Sequence, residues 1–157
     1  MNPVTMLLCR RFTCAEGGQT ELADTRAALA ALPATTRERI AGLETVHGGV
    51  HHPAVRQPLV MHSPFSGRPA LLVGRHTKRV EGLSEGESAD LLAELNDHCT
   101  RPEFVYTHSW CGGDLLLWDN TSTLHRALGG SGGVRELERC ILAPLPSGGG
   151  GGSAARL

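Results

Sequence analysis

Glycine and proline punctuate this sequence so often that no long regular element fits between them. Twenty glycines and nine prolines fall among 157 residues. The apolar stretches left between them are short: Leu7-Leu8, Ala70-Leu71-Leu72-Val73 and Leu115-Leu116-Leu117-Trp118. Short apolar runs bounded by turn formers read as strands. The pattern therefore argues against a helical bundle and for a mainly β chain with a few helical inserts.

Strands are expected over Met6 to Phe12, Thr20 to Leu22, Phe104 to Trp110, Leu115 to Trp118 and Arg135 to Leu142, the Leu115 run being covered on both faces. An edge strand is expected over Val55 to Met61, because prolines at 53, 58 and 64 confine it there. Asp24 or Thr25 caps a helix running to Leu32 and stopped by Pro33. A second helix is predicted from Thr35 or Thr36 to His47, on the helical spacing of Ile40, Leu43 and Val46. A third starts at Ser84, which forms a capping box with Glu87, and carries Leu91, Leu92 and Leu95 on one stripe. Gly129 to Gly133 reads as a flexible loop. The last segment, 147–157, is a glycine-rich tail expected to be disordered.

Composition removes several function classes. Fifteen basic against sixteen acidic residues give a net charge of −1, which does not suit phosphate neutralisation, and aromatics at 4% offer few stacking platforms. No nucleic-acid partner is expected. No apolar run approaches the ~20 residues of a membrane span, and the N-terminus lacks a signal-peptide pattern, so an intracellular, cytoplasmic protein is expected. The five cysteines, at 9, 14, 99, 111 and 140, form no Cys-x-x-Cys and are read as reduced thiols.

The eight histidines invite a metal reading. A non-haem Fe(II) site needs two imidazoles and a carboxylate on one face, usually as His-x-Asp or His-x-Glu plus a distant histidine. None of His47, His51, His52, His62, His76, His98, His108 and His125 has an acid two residues later. His125, by contrast, is followed by Arg135 and Arg139, which share one face of an extended strand. Two guanidiniums beside an imidazole suit a dicarboxylate held next to a metal. Equally, the arginines pair with Glu136 and Glu138 on an exposed face, and His125 is merely solvated. A zinc site using Cys9, Cys14 and His51 or His52 is a third reading. Serine-hydrolase, dinucleotide and P-loop motifs are absent.

The stretches Ser66-Gly67-Arg68-Pro69, Glu81-Gly82-Leu83-Ser84, Thr100-Arg101-Pro102-Glu103-Phe104 and Gly113-Asp114-Leu115-Leu116-Leu117-Trp118-Asp119-Asn120, with Thr123-Leu124-His125-Arg126-Ala127, resemble the taurine dioxygenase (TauD/TfdA) family. Glu16-Gly17-Gly18-Gln19-Thr20 is similar to that family's Gly-Gly-Asp-Thr segment, with Gln19 in place of the aspartate. The resemblance implies an incomplete double-stranded β-helix, or jelly roll, over 1–146. It implies Fe(II) and 2-oxoglutarate, whose decarboxylation to succinate is coupled to hydroxylation of a small-molecule substrate, acidic in some members. By the same resemblance His125 is the distal iron ligand, and Thr20 and Arg135 hold the far carboxylate of 2-oxoglutarate. Arg139 sits near its other end. The His-x-Asp ligands lie before the first residue, so an N-terminally truncated, catalytically impaired member is expected. The alternative is a non-catalytic carboxylate- or partner-binding remnant. Strand edges opened in this way favour homo-oligomers.

Overall fold

A computed structural model describes residues 4–49 and 52–142. In chain order the strands and helices are β1 (Val4–Phe12), β2 (Glu16–Gly17), β3 (Thr20–Asp24), α1 (Thr25–Ala31), α2 (Ala34–Ile40), β4 (Glu44–Gly49), β5 (His52–Pro58), β6 (Val60–His62), β7 (Pro69–Leu71) and β8 (Thr77–Val80). Then come α3 (Glu85–Cys99), a 3-10 turn (Pro102–Phe104), β9 (Val105–His108), β10 (Leu115–Asp119), β11 (Thr123–Ala127), β12 (Gly130–Ser131) and β13 (Arg135–Leu142). The architecture is mainly β with three α-helices among the described residues.

Two three-stranded sheets build the site. One has the order β10-β1-β13 and the other β11-β3-β9. The first is antiparallel throughout, with Thr5 opposite both Trp118 and Ile141, and Leu7 opposite Leu116 and Arg139. The second sets Thr20 opposite His108 and Ala127, and Leu22 opposite Tyr106 and His125. Side chains opposite one another across a ladder share a face. One face therefore carries Thr5, Leu7, Trp118, Arg135 and Arg139, and the facing sheet presents Thr20, Leu22, His108 and His125. Contacts between Arg135 and Thr20, and between Trp118 and His125, show these two faces turned toward each other. A jelly roll has eight strands in two sheets; six fill these places among the described residues, which is the incomplete form.

The largest apolar cluster lies beside these sheets. α3 contributes Leu91, Leu92, Leu95 and Cys99, and meets Ala28, Leu29 and Leu32 of the α1 segment, Ile40 of α2, and Leu59, Leu71, Val73 and Val80. Each fully buried leucine stabilises the fold by roughly 1.5–3 kcal/mol. α3 starts at the expected capping box, Ser84 with Glu87, and α1 at Asp24, which accepts from the Arg26 and Ala27 amides.

Three expectations are corrected. The second helix ends at Ile40, not His47. Gly42 takes a positive φ of 76°, and Thr45 and Val46 then pair with both β5 and β8, because β-branched residues fit a pleated surface better than a helix end. The Leu115 to Trp118 run is covered on one face only. Trp118 is buried, but Leu115 and Leu117 are 59% and 58% exposed on the other side. The Gly129–Gly133 loop is not free: Gly130 pairs with Gly17, and the Gly18 amide donates to the Gly129 carbonyl at 3.0 Å. The tail, 147–157, lies outside the described residues, as does His51.

Candidate dicarboxylate and metal-ligand cleft

The Trp118-Asp119-Asn120 segment is a corner that aims β11. Asp119 Oδ1 accepts from the Thr121 amide at 2.8 Å and the Thr121 hydroxyl at 2.6 Å; Oδ2 accepts from Ser63 Oγ at 2.7 Å and Ser122 Oγ at 3.0 Å. Burial opposes the charge on this carboxyl, but the hydrogen bonds from Thr121, Ser63 and Ser122 outweigh it and hold Asp119 below the ordinary aspartate range. Asn120 ties β10 to β1 within the first sheet, accepting the Trp118 indole N–H at 2.9 Å and donating to Thr5 Oγ1 at 2.8 Å. The turn delivers His125 to the cleft, its ring 4.9 Å from that of Trp118, centroid to centroid.

His125 as a residue is exposed to solvent, with Trp118 against part of its ring. Desolvation of the ring, followed by the charge on Arg139 and then His76, pushes its pKa below the usual imidazole value. A neutral imidazole is the form that ligates a metal.

Thr20 and Arg135 meet across the cleft. Arg135 Nη2 donates to Thr20 Oγ1 at 3.2 Å and Arg135 Nε to the Gly18 carbonyl at 2.8 Å. That carbonyl is presented by a turn only glycine fits: Gly17 and Gly18 have φ of 68° and 79°, and a Cβ at Gly17 would run into the Gly129 carbonyl. Two contacts leave the remaining guanidinium N–H groups of Arg135 for a ligand. The glutamates beside the two arginines are engaged elsewhere. Glu138 pairs with Arg10 at 2.8 Å and Glu136 with Arg11 at 3.8 Å. Among the described residues neither Arg135 nor Arg139 has a carboxylate partner. The pairing that competed for them in the sequence is thereby filled by β1.

Two residues of this cluster had no assigned role. Trp110, placed by the sequence only at the end of a strand, donates its indole N–H to Thr20 Oγ1 at 3.1 Å. His108 packs edge-on against Trp110 at 4.5 Å. Its Nδ1 is 3.2 Å from the Tyr106 hydroxyl. Its Nε2 lies 3.2 Å from Asp114 Oδ2, within ion-pair range but off the hydrogen-bonding line. The signal was the two-residue spacing of 106, 108 and 110, which puts all three on one strand face.

The far-carboxylate end of 2-oxoglutarate fits these residues: a hydroxyl and a guanidinium with spare donors, both in the cleft. Fe(II) does not fit on this chain's residues alone. No group of three His, Cys, Asp or Glu side chains among the described residues is placed to hold a metal, and one imidazole does not define a facial site. The same observation leaves the zinc reading unsupported among the described residues, where Cys9, Cys14, Cys99, Cys111 and Cys140 are free thiols.

A jelly-roll half with an imidazole and a hydroxyl–guanidinium pair in one cleft defines a class, and comparison with known proteins gives the family. Residues 2–141 match the model of the taurine catabolism dioxygenase TauD, TfdA family, and the chain belongs to it. It is 41% identical over 127 residues to the alpha-ketoglutarate-dependent 2,4-dichlorophenoxyacetate dioxygenase of Cupriavidus pinatubonensis, covering 70% of this chain and 44% of that protein. It is 33% identical over 138 residues to the alpha-ketoglutarate-dependent sulfate ester dioxygenase of Pseudomonas putida, covering 73% and 46%. The crystal structure of a putative alpha-ketoglutarate dependent 2,4-D dioxygenase from Burkholderia xenovorans superposes with a TM-score of 0.84 at 32% identity, over 90% of this chain and 62% of that one. AAD-2 in complex with Mn(II) and N-oxalylglycine superposes at 0.82 and 32%, over 90% and 63%. The chain thus spans about half the length of the curated relatives it matches. No helix among the described residues is long and apolar enough to cross a membrane.

Proposed function

We propose that this chain forms the cosubstrate half of a 2-oxoglutarate-dependent dioxygenase site. The far carboxylate of 2-oxoglutarate binds Thr20 and Arg135. Arg139, a cation without a carboxylate partner in the cleft, meets the other end of the cosubstrate or a small anionic substrate. His125 offers one imidazole to Fe(II). In a complete centre, O2 would be the oxidant: 2-oxoglutarate would go to succinate and CO2, with one oxygen atom entering succinate and the other the substrate's C–H bond. What these residues do is bind and orient: charge-assisted hydrogen bonds from Arg135 are each worth ~1.5–3 kcal/mol. With one imidazole, the chain alone releases no stoichiometric succinate. Five free thiols support a reducing, cytoplasmic setting.

The observation that carries this reading is the contact of Arg135 with Thr20 between the facing sheets, with His125 on the same face of its sheet as Thr20 and against Trp118, while Glu136 and Glu138 are held by β1. Calorimetric titration with 2-oxoglutarate tests it. Binding at least tenfold weaker in Arg135→Ala supports it; equal affinity contradicts it. The non-catalytic reading shares both this binding and the lack of turnover in the isolated chain, and stoichiometric succinate release with Fe(II) added contradicts both. Self-association is a further part of the proposal, favoured by the exposed Leu115 and Leu117 of β10 and Ile141 and Leu142 of β13. A monomer by sedimentation at high concentration contradicts it.

A further inference from the structure

We infer that Trp110 is a positioning residue for the dicarboxylate cosubstrate, acting through Thr20. The inference rests on the proposed function. Thr20 is 2% and Trp110 3% exposed. Thr20 Oγ1 lies 3.1 Å from Trp110 Nε1 and 3.2 Å from Arg135 Nη2. An indole N–H and a guanidinium N–H are donors only; neither nitrogen accepts. Both bonds therefore run toward the oxygen, and a hydroxyl oxygen has two acceptor sites. With both filled, the Thr20 proton has to be given to a third group. No acceptor for it occurs among the described residues. The hydroxyl is thus held as a donor facing the side of the cleft that Arg135 also faces, and a carboxylate is the ligand that takes a proton donor and a guanidinium together.

Arg135 alone does not enforce this, because one donor leaves the hydroxyl free to turn. Trp110 supplies the second constraint. Its own ring is braced by His108, edge-on at 4.5 Å, and His108 stands between the Tyr106 hydroxyl and the Asp114 carboxylate. The brace belongs to β9 and the turn after it, while Thr20 is on β3 and Arg135 on β13. Three elements thus converge on one oxygen.

Glutarate is the suitable probe, because it has both carboxylates and no keto group, so its binding is independent of metal. The chain has two tryptophans, and Trp118 gives its indole N–H to Asn120. A nitrogen-15 spectrum therefore shows two indole signals. Glutarate should shift the Trp110 signal saturably and leave the Trp118 signal in place. Trp110→Phe should weaken glutarate about fivefold, the loss of one neutral hydrogen bond. Thr20→Ser should bind as wild type, and Thr20→Val should bind at least as weakly as Trp110→Phe. An unmoved Trp110 signal on saturation, or wild-type affinity in Trp110→Phe, overturns the inference. Should Trp110→Phe not fold, judged by loss of the dispersed Trp118 signal, equal affinity of the Thr20→Ser and Thr20→Val chains overturns it. Arg135→Ala separates the two levels. If it leaves glutarate binding intact, the proposed function fails. If it abolishes binding while Trp110→Phe binds as wild type, only the role of Trp110 fails.

Discussion

Replacing Asp119 by alanine should remove about 3–4 kcal/mol of stability. Four donors lose their acceptor: the Thr121 amide and the hydroxyls of Thr121, Ser63 and Ser122, all within 3.0 Å. All three donor residues are buried, so water does not replace the carboxylate freely. A buried amide left without its charged acceptor costs ~1–3 kcal/mol, and each hydroxyl, able to turn elsewhere, somewhat less. For a chain of this size that sum lowers Tm by roughly 10 °C. The pH dependence has a defined sign. Because Asp119 is held below its ordinary value of 3.8, its contribution is fully present above that value and is lost as pH falls through the lower folded value. Urea unfolding followed by circular dichroism, at neutral pH and at intervals below pH 4, gives both numbers. A loss under about 1 kcal/mol, or a gap to wild type that stays constant into strong acid, refutes the reasoning.

Leu95, fully buried among Leu29, Leu71 and Leu91, should cost about 3 kcal/mol when cut to alanine, measured by the same unfolding curves. Gly17→Ala places a Cβ against the Gly129 carbonyl at a positive φ. It should lower stability by over ~1 kcal/mol and also weaken 2-oxoglutarate, since the Gly18 carbonyl beside it holds Arg135; unchanged calorimetry would contradict this. Cys99 is buried, with its thiol pushed up to about 12 by desolvation. Ellman's reagent should therefore modify the exposed Cys111 and Cys140 in the native chain and reach Cys99 only on unfolding, and rapid native labelling of Cys99 would count against the packing described.

Much of this fold was legible because its signals are local. Ser84 with Glu87, Asp24 before an alanine-rich run, and the leucine stripe of α3 each depend on a few neighbouring residues, and each forms as expected. The helical spacing of Ile40, Leu43 and Val46 is satisfied only in isolation; the partners that make Thr45 and Val46 a strand, Gln57 and Val80 for the first and Arg56 and Arg79 for the second, lie ten or more residues away. The exposure of Leu115 and Leu117 was illegible for a related reason, since a run of leucines does not say how many faces are covered. At the cleft, His125, Thr20, Arg135 and Arg139 came from the family resemblance, and the alternation of β13 placed the two arginines on one face. Trp110 was passed over because its role is a hydrogen bond to a residue 90 positions away. The occupation of Glu136 and Glu138 by Arg11 and Arg10 depends on the register of β1 with β13, including a bulge between Cys9 and Arg11 that no local pattern marks.

The most direct test is a crystal structure of this chain grown with 2-oxoglutarate. The account predicts density for one carboxylate between the Arg135 guanidinium and Thr20 Oγ1, with the keto-acid end directed toward His125 and Arg139. Density for the ligand elsewhere, such as the cavity lined by Arg37 and Arg68, with Arg135 and Thr20 touching only each other, would contradict it.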